Sequence, residues 1–294
     1  MSYEVDAIKN AIDRIGSALF HRSKIVHGIE GSAIDVSNLY PLPVAIAQDL
    51  ISRGLTAEGG QWNKFGYRDL TSAAAGEQTL WAANENHVIM ETAETFTINY
   101  NNTTDGAGTN GATQVTLFYV DANGEEQIYP HTLGDTGSEE IVGAGTGLGI
   151  NRAVVTQSGS SKTNVSDISI DNTTSGNLQA IMPELTGVTQ QMIFFSASNK
   201  KALGKWLFLG AKKISGGGSP RVAFRGLVYA RSIDCIFEVF RYRMDTSVEN
   251  GRSFIDPCNF PLTPGDVLYF VADTDTNNTQ MEGRLSLNTY TIQL

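Results

Sequence analysis

From about residue 64 onward the chain is a succession of short runs that alternate or run apolar at strand length, divided by polar turn clusters. TFTINY (95–100), TQVTLFYV (113–120), EEQIYPHTL (125–133), RAVVTQ (152–157), NVSDISID (164–171) and LQAIM (178–182) come first. MIFFSA, WLFLGAKK, RVAFRGLVYA, IDCIFEVFRY, DVLYFVAD and GRLSLNTYTI fill the last third. NNTTDGAGTNG, GAGTGLG, QSGSSKTN, DNTTSGN, SGGGSP and DTDTNNT lie between them. β-branched and aromatic runs at this length, closed by Gly/Asn/Asp/Ser clusters, predict about a dozen antiparallel strands. The expected fold is all-β, an antiparallel β-sandwich with jelly-roll character. A break near PELTGVTQ (183–190) divides it into a first β-domain over 63–183 and a second over 184–294. A charged share of 18%, below the usual quarter, agrees with such a protein.

Residues 1–62 read differently. In EVDAIKNAIDRIGSALF (4–20), Val5, Ile8, Ile12, Ile15 and Leu19 recur at alternating spacings of three and four. That spacing predicts a helix with one apolar stripe. It also fits two heptads of a coiled-coil seam, and Ile at both core positions favours trimers or tetramers. The stripe is thus either an oligomer interface or the face of a helix packed on its own domain. Residues 28–63, punctuated by Gly28, Gly31, Pro41, Pro43, Gly54, Gly59 and Gly60, read as an arm. PVAIAQDLISRG inside it suits a short helix, with Pro at its start and Gly at its end.

Charge and composition exclude several functions. The net charge is −10, so nucleic acid is not an expected partner. The charge is uneven: residues 196–256 hold eleven Lys/Arg against five Asp/Glu. This is either a solvated face of mixed charge or a surface on which copies of the chain meet. No apolar stretch approaches the length of a membrane span, so no membrane partner is expected. MSYEVDAIKN lacks the basic start and apolar core of a signal peptide, which predicts folding in a cytoplasm. The two cysteines, Cys235 and Cys258, sit in no CxxC and are expected to be reduced, with Cys235 buried and inert in the run IDCIFEVF.

No arrangement of residues points to catalysis. In LFYVDANGEEQIYP (117–130), Asp121, Asn123, Glu125 and Glu126 resemble a calcium loop, but the glycine falls at the fourth position and Thr132 stands at the twelfth. Asn123-Gly124 predicts instead a type I′ hairpin corner. His21, His27, His87 and His131 lack metal-ligand spacing, and neither a metal nor a cofactor is expected. There is no GxSxG elbow. GAGTGLG (143–149) precedes no helix and is not a phosphate loop. Adjacent carboxylates such as Glu125/Glu126 and Glu139/Glu140 would face opposite sides of a strand, unsuited to paired acid–base work. The expectation is no enzyme, although two carboxylates converging from distant segments would make a glycan hydrolase. Lysines interleaved with Trp206 and Phe208 in KKALGKWLFLGAKK (200–213) read as charged strand ends that protect an edge. Trp62, Tyr67, Trp81 and Trp206 are candidate surface aromatics that could stack on sugars; otherwise they fill cores or subunit contacts.

Several segments form a recognisable series: NKFGYRDLTSAAAGEQTLWAANENHV (63–88), TTDGAGTNGATQVTLFYVDANGEEQ (103–127), NRAVVTQSGSSKTNVSDISI (151–170), and a close from PLTPGDVLYFVAD. The series resembles a family of virion structural proteins of tailed bacteriophages. In that family an NKFG…W opening precedes a Gly/Thr/Ala-rich loop, a GLDANGNE hairpin, an NRAxVxxxGSxxxNVGxI unit and a P…GDxxxxxA close. The resemblance covers 63–294, and this chain departs from it with FYVDANGEE and NVSDI. It implies a non-enzymatic particle component assembled in the host bacterial cytoplasm and located in the virion. The role it favours is a capsid decoration or head accessory protein; the alternative is a neck, tail or tail-fibre component that binds a receptor or glycan. The implied partners are further copies, as a homotrimer or higher oligomer, and the major capsid protein or neck and tail proteins.

Overall fold

The computed structural model describes residues 10–15, 18–23, 26–27, 34–35, 59–73, 76–247, 252–255, 258 and 260–291. The chain divides into two compact units, Met1–Ala57 and Glu58–Leu294.

The first unit contains β1 (Asn10–Ile15), β2 (Ala18–Ser23), β3 (Val26–His27) and β4 (Ile34–Asp35). β1 and β2 form an antiparallel hairpin, with Ile12 opposite His21 and Ile15 opposite Ala18. The helix expected over 4–20 is not seen. Two heptads are too short to offset helix nucleation by themselves, whereas Ile and Phe suit a pleated ladder. Ile12, Ile15 and Leu19 therefore lie on strands, and a coiled-coil seam cannot form on a backbone of period two. Val5, Ile8 and the segment PVAIAQDLISRG lie outside the described residues.

The second unit begins with β5 (Gly59–Leu70), β6 (Gln78–Thr79), β7 (Phe96–Asn99), β8 (Ala112–Asp121), β9 (Glu126–Thr132) and β10 (Ser138–Glu140). Next come β11 (Gly147–Ser158), β12 (Ile168–Asn172), β13 (Leu178–Met182), β14 (Ile193–Phe195) and β15 (Lys200–Lys213). The last are β16 (Arg221–Ala230), β17 (Cys235–Asp245), β18 (Arg252–Ile255), β19 (Pro261–Leu262), β20 (Val267–Thr274) and β21 (Thr279–Thr291). The pairings are antiparallel, so the all-β expectation holds.

Among the described residues of the second unit, the strands fall into four sheets: β10-β7-β12-β13, β11-β8-β9, β14-β20-β16-β17 with β6 beside β20, and β18-β15-β21-β5 with β19 beside β15. Several small sheets in a propeller-like arrangement replace the sandwich or jelly-roll expected over two β-domains. Tight local hairpins such as β8–β9, β12–β13 and β16–β17 keep each sheet narrow.

Alternation places the core. Phe96 and Ile98 of β7, Ile168 and Ile170 of β12, and Leu117 and Tyr119 of β8 are buried in one cluster with Ile150 and Met182. Leu207 and Leu209 of β15, Val222 and Phe224 of β16, Phe270 of β20 and Leu285 of β21 form a second. Trp81, Val120, Ile193, Phe195 and Val267 form a third that joins strands of both halves. β5, early in the sequence, pairs along its length with β21, from Leu70 opposite Thr279 to Gly59 opposite Tyr290. A Cβ at Gly66 of β5 would lie 2.2 Å from the Leu80 carbonyl oxygen and 2.8 Å from the Met192 nitrogen. Only glycine allows that approach.

The corner at Asp121–Glu125 is a hairpin, but not type I′. Only Gly124 has positive φ (+79°), and its N–H donates to Asp121 O at 2.9 Å. This is the longer connection, in which a turn is followed by a left-handed glycine. The Asp121 carboxylate accepts from the N–H groups of Asn123 and Glu125, 2.9 Å each, and from Gln127 Nε2 at 2.9 Å. Its oxygens organise the loop. β15 is paired by β21 along its length and on its other side by β18 at Leu207–Gly210 and β19 at Ala202–Leu203, so it is not a free edge strand as a whole.

Candidate functional site

The resemblance motifs turn out to be hydrogen-bonding hubs. Asp105, in the Gly/Thr/Ala-rich loop, is fully buried. Its Oδ1 accepts from Ala112 N (2.7 Å) and Val165 N (2.9 Å), and its Oδ2 from Ser166 N (2.8 Å) and Ser166 Oγ (2.5 Å). Asn164 Oδ1 accepts from Gly187 N at 2.8 Å, while its Nδ2 donates to the carbonyls of Ser166 and Pro183. Asn151 exchanges a pair of hydrogen bonds with the backbone of Phe195, at 2.8 and 2.9 Å. The Asn151 carbonyl accepts from Lys64 Nζ. These residues knit loops together.

Lys64 is fully enclosed. Burial, assisted by the positive charge of Arg152, pulls its pKa down to about 7. His87 lies edge-on to Trp81, with ring centroids 5.1 Å apart, and near Phe195 at 6.0 Å. Both its ring nitrogens are buried without a hydrogen-bond partner. Burial first, and Lys64 second, push its pKa down to about 3, so the ring is neutral.

A cleft of about 470 Å³ opens among β5, β8, β9 and β11. β5 contributes Gln61 and Trp62, β8 contributes Phe118, and β9 contributes Glu126, Gln127 and Ile128. β11 contributes Asn151 and Arg152, and Asn199 and Lys200 close one side. Trp62 meets Phe118 edge-on at 6.1 Å and Phe194 at 5.8 Å. The Arg152 guanidinium sits over both rings of the first pair, 4.6 Å from the Phe118 centroid and 5.4 Å from Trp62. Such stacking fixes a long side chain and compensates part of its desolvation. Glu126, also on the lining, is ion-paired to Lys200 through Oε2, while Oε1 is buried and unpartnered.

The structure brings one of the four predicted surface aromatics into the cleft. Trp62 lines it, half-buried. Tyr67 and Trp206 are half-buried elsewhere. Trp81 is fully buried, its Nε1 donating to Glu85 O at 2.6 Å, and so is a core residue rather than a surface contact. Sequence reading missed Phe118, Glu126 and Arg152 as site residues, because they come together only through pairing of β8 with β9 and β11.

A second surface lies on β17, the last strand of its sheet. Ile236 (59% exposed), Phe237 (47%) and Val239 (37%) all face water, and Ile233 in the preceding turn is 59% exposed. Paired Leu227 and Val228 on β16 are buried, so β17 carries its apolar side chains beyond the covered part of the sheet. Cys235, expected to be buried, is exposed for that reason. Glu238 accepts from Arg225 Nε at 2.6 Å and Arg241 Nε at 2.8 Å, and these two guanidinium groups hold its pKa down to about 2.

No protein-family model and no curated protein matches the chain. Among solved structures, it aligns with one titled "Structure of infectious bursal disease virus Gt strain", at 10% identity and a TM-score of 0.20, over 79% of this chain and 72% of the other. It aligns also with "The 2.6A structure of Infectious Bursal Virus Derived T=1 Particles", at 9% identity and a TM-score of 0.16, over 79% and 69%. Scores that low do not establish a shared fold.

Proposed function

We propose that the chain is a non-enzymatic structural subunit of a tailed-bacteriophage virion, acting as a capsid decoration or head accessory protein through contacts with neighbouring subunits. The motif series over 63–294 supports the family. The observation that carries the mechanism is the exposed apolar strand β17, with Ile236, Phe237 and Val239 turned to water at the end of a sheet. Apolar edge strands pair with further strands, and contiguous exposed apolar surface marks interaction sites.

The occupant is a second copy of this strand. Meeting edge to edge, two copies would cover the exposed Ile236, Phe237 and Val239 of each. Other contacts must extend the interface, since a stable one needs about 1,000 Å² or more. The trimer expected from the isoleucine stripe loses its helical basis.

Cryo-electron microscopy of the intact phage tests the role. Density for this chain in many copies over capsomer junctions is the expected result. Density confined to the tail vertex would replace the decoration role with a neck or tail role.

A further inference from the structure

Two Asn-Gly pairs lie among the described residues: Asn123-Gly124 at the β8–β9 corner and Asn110-Gly111 in the loop before β8. Asn250-Gly251 lies outside them. Both described asparagines are exposed. An asparagine before glycine closes readily onto the next backbone nitrogen, because glycine has no side chain to hinder the approach. The two glycines differ in what holds them. Gly111 is buried, and a Cβ there would lie 2.1 Å from Asp105 Oδ1 and 2.4 Å from Thr104 O. Its N–H donates to Thr104 O (2.9 Å), its carbonyl accepts from Gly159 N (2.8 Å), and the Asn110 carbonyl accepts from Ser161 N (2.9 Å). Freeing this pair means opening the loops that the buried Asp105 carboxylate closes. Gly124 is half-buried at a hairpin tip, where the nearest neighbour of an added Cβ is Ser198 Cβ at 2.9 Å. Its N–H donates to Asp121 O (2.9 Å), and its carbonyl accepts from Ser198 N (2.6 Å). A loop tip opens at a far lower free energy than a buried hub.

We propose that Asn123 is a spontaneous modification site, converting in the folded protein to isoaspartate and aspartate, while the Asp105 hub keeps Asn110 intact. The Gly124 nitrogen leaves Asp121 O and bonds to Asn123 Cγ. Its proton passes through water to the departing amide nitrogen, the Cγ–Nδ2 bond breaks, and ammonia leaves a succinimide behind. Water then opens the ring at one carbonyl or the other, giving isoaspartate or aspartate. The sequence consumes only water. Isoaspartate routes the backbone through the former side chain, one methylene longer, immediately before Gly124. That carries the Gly124 carbonyl off Ser198 N, and the new carboxylate joins Asp121 and Glu125 in the same loop. The corner is thereby released from Ser198. This inference is independent of where the subunit sits on a particle.

The test incubates the full chain at mildly alkaline pH, well below its unfolding temperature, with a parallel sample in guanidinium. Peptide mass spectrometry follows both sites, and methylation by an isoaspartyl methyltransferase separates isoaspartate from aspartate. In guanidinium the two pairs should convert at similar rates, since only the local sequence acts there. In the native chain Asn123 should convert about tenfold or more faster than Asn110, because opening free energies differ widely between tips and hubs. Hydrogen exchange at the Ser198 amide should quicken in the aged protein and stay unchanged in Asn123→Gln aged in the same way. An Asn123 that stays intact in the native chain, or a native ratio no higher than the ratio in guanidinium, overturns the proposal whether or not the variant folds. Unchanged Ser198 exchange in the converted protein overturns the release of the corner.

Discussion

Ser166 donates both its backbone N–H, at 2.8 Å, and its hydroxyl, at 2.5 Å, to the same carboxylate oxygen of Asp105, sixty-one residues earlier in the chain. With Ala112 N and Val165 N on the other oxygen, one buried carboxylate closes two glycine- and threonine-rich loops. A carboxylate offers enough lone pairs for all four donors, and an amide does not. Asp105→Asn is therefore expected to destabilise the second unit by about 2–4 kcal/mol, through lost charge-assisted bonds and an amide NH₂ set against backbone donors. Urea unfolding followed by circular dichroism reads this directly. A change below experimental scatter would show that the loops hold without the hub.

Lys64 and His87 make stability depend on pH with a definite sign. Both have folded pKa values below their ordinary ones, about 7 against 10.5 and about 3 against 6.5. Between each pair of values the unfolded chain holds more protons than the folded one, so stability rises with pH there. The His87 contribution is complete above pH 6.5 and is lost as pH falls towards 3. The Lys64 contribution is complete above pH 10.5 and declines as pH falls towards 7. Unfolding free energies measured across pH should climb in both windows. Lys64→Met should flatten the alkaline climb and His87→Phe the acid one, relative to wild type. An alkaline slope that survives Lys64→Met would assign it to another group.

Gly66→Ala places a methyl group against backbone atoms, the Leu80 carbonyl oxygen and the Met192 nitrogen, neither of which can rotate away. The expected loss is about 3 kcal/mol, as for severe overpacking. Thermal unfolding of the variant checks it. Gly217→Ala, where nothing lies within 4 Å of the added Cβ and φ is not positive, serves as the control and should be close to neutral.

Phe237→Lys alters an exposed side chain on β17. Folding stability should change by no more than about 0.5 kcal/mol, as for most surface substitutions. Self-association should weaken, because two lysines would be buried where two copies meet. Analytical ultracentrifugation over a concentration series measures it. Identical sedimentation of wild type and variant would remove β17 from the subunit interface.

The strand class of residues 95–291 was legible in the sequence because each run is short, alternates and ends in turn residues, and those are local properties. The hairpin at Asn123-Gly124 was legible too; its turn type was not, because that depends on which residue takes positive φ. The N-terminal stripe of Val5, Ile8, Ile12, Ile15 and Leu19 misled, since apolar spacing describes a face only once the backbone period is known. Residues 10–15 and 18–23 instead satisfy their backbone groups with each other. Trp81 and Cys235 show the same limit in opposite directions. An aromatic in a polar stretch is fully buried, and a thiol in an apolar run is exposed, because burial is set by what the neighbouring sheets cover. The cleft belongs wholly to tertiary structure. Phe118 and Glu126 share one hairpin, but Trp62 and Arg152 are far from it in sequence, and only the pairing of β5 with β21 and of β8 with β11 places them around the same space. Local sequence determined the elements of this protein; long-range strand pairing decided which side chains share a site.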